Sequence, residues 1–187
     1  MSVEVKDGRT ALAAHDARAE AEMRAPTNVG HTIVRDARLL LIAIWLGAAV
    51  CFSFAVAPSA FAVLPTHELA GNLVTRTLGI VNVAGLIISL LLIASAFVGR
   101  STASRRAWLL EVIALAFVAL TTFVGHWIIN ARLLALRHAL GRPIDDVATN
   151  DPVRVAFNSL HGYSVGALGL GMLAGALALL VLARRRV

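Results

Sequence analysis

Two histidines stand in or beside strongly apolar runs, His126 in FVGHWIIN and His161 in FNSLHGYS. Imidazole changes charge near neutral pH, and its neutral ring nitrogens bind zinc, copper or iron. An apolar helix offers such a ring few partners, so polar neighbours at helical spacing decide what it can do. Thr122, His126 and Asn130 share one face at i, i+4 and i+8, and Asn158, His161 and Ser164 follow at i, i+3 and i+6 on a later helix. Asn72, Arg76 and Asn82 belong to an earlier run. If these faces turn inward, Arg76, His126, Asn130, Asn158, His161 and Ser164 form one donor-rich cluster suited to an anion, a polar head group or ordered water. The same residues also suit a structural clamp, each histidine bonded to a backbone carbonyl or to water.

Redox and hydrolytic chemistry find less support. No carboxylate completes a zinc set within either histidine-bearing helix, methionine is scarce, and there is no CxxCH haem-attachment motif. The single cysteine, Cys51, excludes an internal disulfide and reads as a small buried packing residue. No catalytic triad, phosphate loop or zinc signature occurs, so the expectation is a non-enzymatic protein without a metal or other cofactor. Glu111, one turn inside an apolar run, could pair with an arginine, snorkel to the surface or relay protons.

The elements that carry these residues are membrane spans. The chain has 187 residues, 58% of them hydrophobic, and is too apolar to keep an ordinary charged surface in water. Four runs reach the roughly 20 residues that cross a hydrocarbon core of about 30 Å: Leu39–Pro58, Leu78–Val98, Trp108–Ile129 and Ser164–Leu182. Counting helical rise from their inner ends puts Pro58, Arg76, His126 and His161 all roughly 27–33 Å away, at the outer boundary.

The net charge of +6 is almost all arginine at helix ends, which fits topology better than nucleic-acid binding. Arg35 and Arg38, then Arg100, Arg105 and Arg106, then Arg184, Arg185 and Arg186 predict cytoplasmic termini and a cytoplasmic 99–107 link, with the bilayer itself as principal partner. Residues 1–36 read as a mobile cytoplasmic tail and 37–187 as the four-span domain, the first span serving as insertion signal. Pro65 breaks one helix and Thr66 caps the next, Gly141 stops a helix, and Asp151–Pro152 starts one. Gly47 with Cys51, Gly79, Gly85, and the GxxxG pairs Gly162–Gly166 and Gly171–Gly175 supply small surfaces for close helix contact.

The segments WLGAAVCFSFAVAPSAFAVL, ELAGNLVTRTLGIVN and FNSLHGYSVGALGLGMLAGALALL resemble the four-helix membrane family of unknown function related to transmembrane protein 205. The likeness spans residues 36–183, with Gly47, Phe54, Ala57, Pro58, Phe61, Ala70, Gly71, Phe157, Leu160, His161 and Ser164 as anchors. It implies a four-helix bundle and an integral membrane location, and transfers no biochemical activity. The expected fold is therefore all-α, a membrane-embedded antiparallel four-helix bundle in the plasma membrane of a bacterium or similar cell. Its expected role is an accessory or interaction subunit of a membrane-protein complex or homo-oligomer. The alternative is a small transport or ligand-binding protein using the outer polar cluster, and a haem or metal redox protein ranks last.

Overall fold

A computed structural model describes residues 15, 30, 32–98, 104–141 and 144–184 of the chain. Most of the expected tail, most of the 99–107 link, and Arg185 and Arg186 lie outside the described residues. By internal contacts the chain divides into two units, 1–37 and 38–186 apart from the terminal valine. In the first, Arg35 donates to the carboxylate of Asp36 at 3.0 Å.

All regular elements among the described residues are helical. Four helices are long and apolar enough to cross a membrane: α1 (Thr32–Val63), α2 (His67–Val98), α3 (Arg105–Leu140) and α4 (Pro152–Ala183). At 1.5 Å per residue each exceeds a hydrocarbon core of about 30 Å, so their ends project beyond it. The four runs expected from the sequence fall inside these helices.

Their ends follow local chemistry. Leu64 closes α1 with ψ 142°, the extended geometry imposed on a residue before proline. Thr66 Oγ1 accepts from the Leu69 N–H at 3.2 Å, and Glu68 occupies the first turn of α2. Gly141 ends α3 at φ 60°, which suits a residue without Cβ. Asp151 caps α4 by accepting from the Val153 N–H at 2.8 Å, with Pro152 following.

Two helices carry widened turns that periodicity did not reveal. In α1 the stretch Phe52–Val56 is π-helical, and the Ala57 N–H reaches back to the Phe52 carbonyl. It lies directly ahead of Pro58, whose ring would press on the carbonyl one turn earlier in a regular helix. The widening lets α1 run through Pro58 to Val63, just short of the break expected at Pro65. In α3 the widened stretch is Val124–Asn130.

One core cluster joins all four helices through Ile42, Trp45, Leu92, Leu115, Val118 and Ala178. A second joins Ala49, Phe52, Ala70, Val74, Val81 and Leu168. Trp45 sits in a slot left by missing side chains. A Cβ at Gly175 would stand 2.7 Å from its Cζ3, and one at Gly85 would overlap its indole nitrogen. That nitrogen donates to the Val81 carbonyl at 3.0 Å. Gly171 faces Thr121 just as closely, its added Cβ falling 2.9 Å from Oγ1.

The packing code therefore uses only part of the predicted small-residue set. Gly47, Gly162 and Gly166 meet nothing within 4 Å. Cys51 is exposed, contrary to the buried packing residue expected, because that side of α1 turns away from its neighbours. Large apolar residues such as Ile44, Phe54, Ile80, Ile113 and Leu173 cover the outside. Water would penalise that surface, whereas lipid accepts it.

Candidate functional site

On α2 the residues Asn72, Thr75, Arg76, Gly79, Ile80, Val83, Ala84 and Ile87 recur at three- and four-residue steps, which puts them on one stripe. Against that stripe α3 presents His126, Asn130 and Leu134. Together they line a groove of about 700 Å³ between the two helices.

Glycines set its depth. Gly79 leaves the space beside the His126 ring open, since a Cβ there would lie 3.4 Å from Cε1. Away from the groove lining, Gly125 makes room for buried Asn82, with an added Cβ 3.2 Å from Nδ2. His126 packs edge-on against Trp127, ring centroids 4.5 Å apart, and its Nδ1 has no hydrogen-bond partner among the described residues.

The groove has two chemically distinct ends. Asn72, Thr75, Arg76, His126 and Asn130 gather toward one end beside the apolar Leu134, while Ile80, Val83, Ala84 and Ile87 line the rest, and the exposed lining as a whole is mainly apolar. Its lining contains a cationic side chain and no carboxylate. Arg76 is exposed and makes no hydrogen bond or ion pair among the described residues.

The structure thus gathers three of the six residues singled out in the sequence, Arg76, His126 and Asn130. Asn158, His161 and Ser164 do not line this groove, because α2 and α3 build it without α4. Asn158 and His161 are exposed on α4, whereas Ser164 is buried. Thr122 also departs from its expected face: it is only 2% exposed, with its hydroxyl donating to the Val118 carbonyl at 2.8 Å. The widened turn that begins at Val124 changes the angular register between Thr122 and the groove residues beyond it.

Sequence reasoning did not single out Arg137. Its guanidinium donates to Asn72 Oδ1 at 3.1 Å and lies 5.2 Å from the centroid of the Phe157 ring. It also interacts electrostatically with Glu68 and His161. Arg137 thereby links α3 to the polar end of α2 and to the first turns of α4. The signal available was its position one turn past Arg132 on the extended end of α3, and that signal is shared with many surface arginines.

A second polar feature lies elsewhere on α2 and α3. Glu111, fully buried, accepts from Arg38 of α1, and the same arginine donates to the Leu92 carbonyl of α2 at 3.2 Å. Of the roles open to Glu111 in the sequence, the structure shows pairing with arginine. Ile42, Leu115, Ala178 and Leu182 close around Glu111 and leave no room for a water molecule. This is a staple between three helices, separate from the groove.

Long apolar helices, an apolar exterior and a groove between two of the helices define an integral membrane protein. The chain belongs to the family described as Domain of unknown function (DUF4149), which matches residues 40–142, from α1 through the end of α3. Comparison with curated proteins and with solved structures returns no match.

Proposed function

We propose that this protein is a non-enzymatic membrane protein that binds an apolar or amphiphilic molecule in the groove between α2 and α3. The single observation that carries the reading is the groove itself, its polar residues gathered toward one end and its exposed lining mainly apolar. Exposed Ile80 and Ile87 stand in its walls, so a molecule dissolved in the bilayer can enter sideways without crossing water.

The contacts support an antiparallel bundle. Arg38 meets Leu92 while Trp45 meets Val81, and Trp108 meets Ala96 while Arg137 meets Asn72, so each pair of partners runs in opposite chain directions. With arginines concentrated beside residues 38, 105 and 184, the reading includes cytoplasmic termini in a bacterial plasma membrane. Kinship with the transmembrane protein 205-related family belongs to the same proposal and rests on the motifs of α1, α2 and α4.

The test is a photoreactive amino acid at Val83 in the groove, compared with one at Leu173 on the outside of α4. After irradiation in native membranes, the Val83 position yields adducts of a restricted set of small molecules, and Leu173 yields a mixture resembling the bulk lipid. Identical adduct profiles at the two positions overturn the reading.

A specific observation also favours a role in assembly. Gly162 and Gly166 face an apolar hollow of about 410 Å³ between α3 and α4, where a further helix could approach closely. Crosslinking through a cysteine at Ala167 under mild detergent tests it. Recovery of the chain alone counts against the assembly role.

A further inference from the structure

We infer that the groove selects a single-chain amphiphile with a compact anionic head, such as a long-chain carboxylate, and that Arg76 recognises the head. The inference rests on the groove-binding reading above and adds the ligand's charge, shape and orientation.

Charge complementarity carries it. Arg76 supplies a forked guanidinium, and no carboxylate in the lining competes for it. Asn72 turns its side-chain oxygen to Arg137, and its amide N–H groups can donate to a ligand. Thr75, Asn130 and His126 complete a cradle of groups able to donate. Arg137, another cation nearby, is already engaged by Asn72 and Phe157. Arg76 is therefore the cation at this end with its bonding capacity open.

Shape sets the tail. From Arg76 to Ile87 the stripe extends roughly 17 Å along α2, close to the half-thickness of a hydrocarbon core of about 30 Å. The apolar part of that stripe, Ile80 to Ile87, makes up roughly 10 Å of the length and flanks the upper part of one extended chain that continues toward the bilayer centre. The head belongs beside Arg76, His126 and Asn130, and the tail beside Ile80, Val83, Ala84 and Ile87.

The test uses the full chain in nanodiscs of zwitterionic lipid, carrying the Val83 photoprobe and a photoreactive-independent readout, displacement of a fluorescent fatty carboxylate. Competitors are a long-chain carboxylate, the alcohol of the same chain length, a lysophosphocholine and inorganic phosphate. In the parent the carboxylate competes about ten- to a hundred-fold better than the alcohol, as expected for a charge-assisted hydrogen bond. Arg76→Gln brings the two competitors together, Arg76→Lys retains part of the preference, and Arg132→Gln, outside the groove, retains all of it. Equal competition by carboxylate and alcohol in the parent overturns the anionic head while leaving groove binding intact. So does a loss in Arg132→Gln as large as in Arg76→Gln, which would identify surface charge as the cause. Displacement by inorganic phosphate as effective as by the carboxylate overturns the tail, lysophosphocholine matching the carboxylate overturns the compact anionic head, and failure of every amphiphile overturns the groove-binding reading together with this one.

Discussion

Changing Glu111 to Gln keeps the shape of the side chain and removes the charge that balances Arg38. Glu111 is 0% exposed and Arg38 9%, so neither group has water at hand to compensate. Breaking one side of a buried ion pair costs about 3–5 kcal/mol, chiefly because the remaining charge stays desolvated. For a chain of this size that corresponds to a melting temperature lowered by roughly 6–20 °C. Arg38→Met with Glu111→Leu removes both charges and fills the site with apolar atoms, and should return stability to within about 2 kcal/mol of the parent. The Leu92 carbonyl keeps a partner in that double variant, because Ser95 Oγ also donates to it at 2.9 Å. Thermal unfolding in mild detergent, followed by circular dichroism, measures the three proteins side by side. A Glu111→Gln protein melting with the parent, or a double variant melting no higher than the single one, refutes the reasoning.

The two classes of glycine give a direct contrast: Gly175→Leu strikes Trp45 and should cost about 1–3 kcal/mol, whereas Gly162→Leu enters open space and should melt with the parent. Matching melting temperatures for those two variants would remove the slot around Trp45. Arg137→Gln forfeits the cation over Phe157 and a charged bond to Asn72, for an expected loss of about 1–3 kcal/mol that a Phe157→Leu variant should partly reproduce. Full stability in Arg137→Gln would reduce that contact to incidental proximity. In a Cys51→Ser background, a cysteine at Thr66 should react with an impermeant thiol reagent outside intact cells and one at Ser104 should not. The reverse pattern inverts the proposed topology.

Helix length and hydrophobicity made the four spans readable, since crossing lipid demands a long apolar helix whatever its neighbours. Thr66, Gly141 and Asp151 were readable for a related reason: a cap is a local contract between one residue and the backbone beside it. The staple was only half readable. Glu111 announced itself as a charge inside a span, yet Arg38 lies far away in sequence, and nothing local selects it over the other arginines. The groove was distorted by a regular-helix assumption. Spacing put Thr122 beside His126 and Asn130, and the widened turn from Val124 to Asn130 separates them. Asn158 and His161 share a boundary with Arg76 by helical count, but depth along the membrane normal says nothing about which pair of helices encloses a space.

The slot around Trp45 imposes a timetable on biogenesis. The tryptophan emerges from the ribosome with α1, whereas the Val81 carbonyl and Gly85 arrive with α2 and Gly175 only with α4. Until the last helix is made, the indole has one wall of its seat missing and must face lipid or an insertion factor there. The final span consequently acts as the latch of assembly, and a ribosome stalled before it would leave a hydrogen-bonded but uncovered tryptophan as the mark of an unfinished bundle.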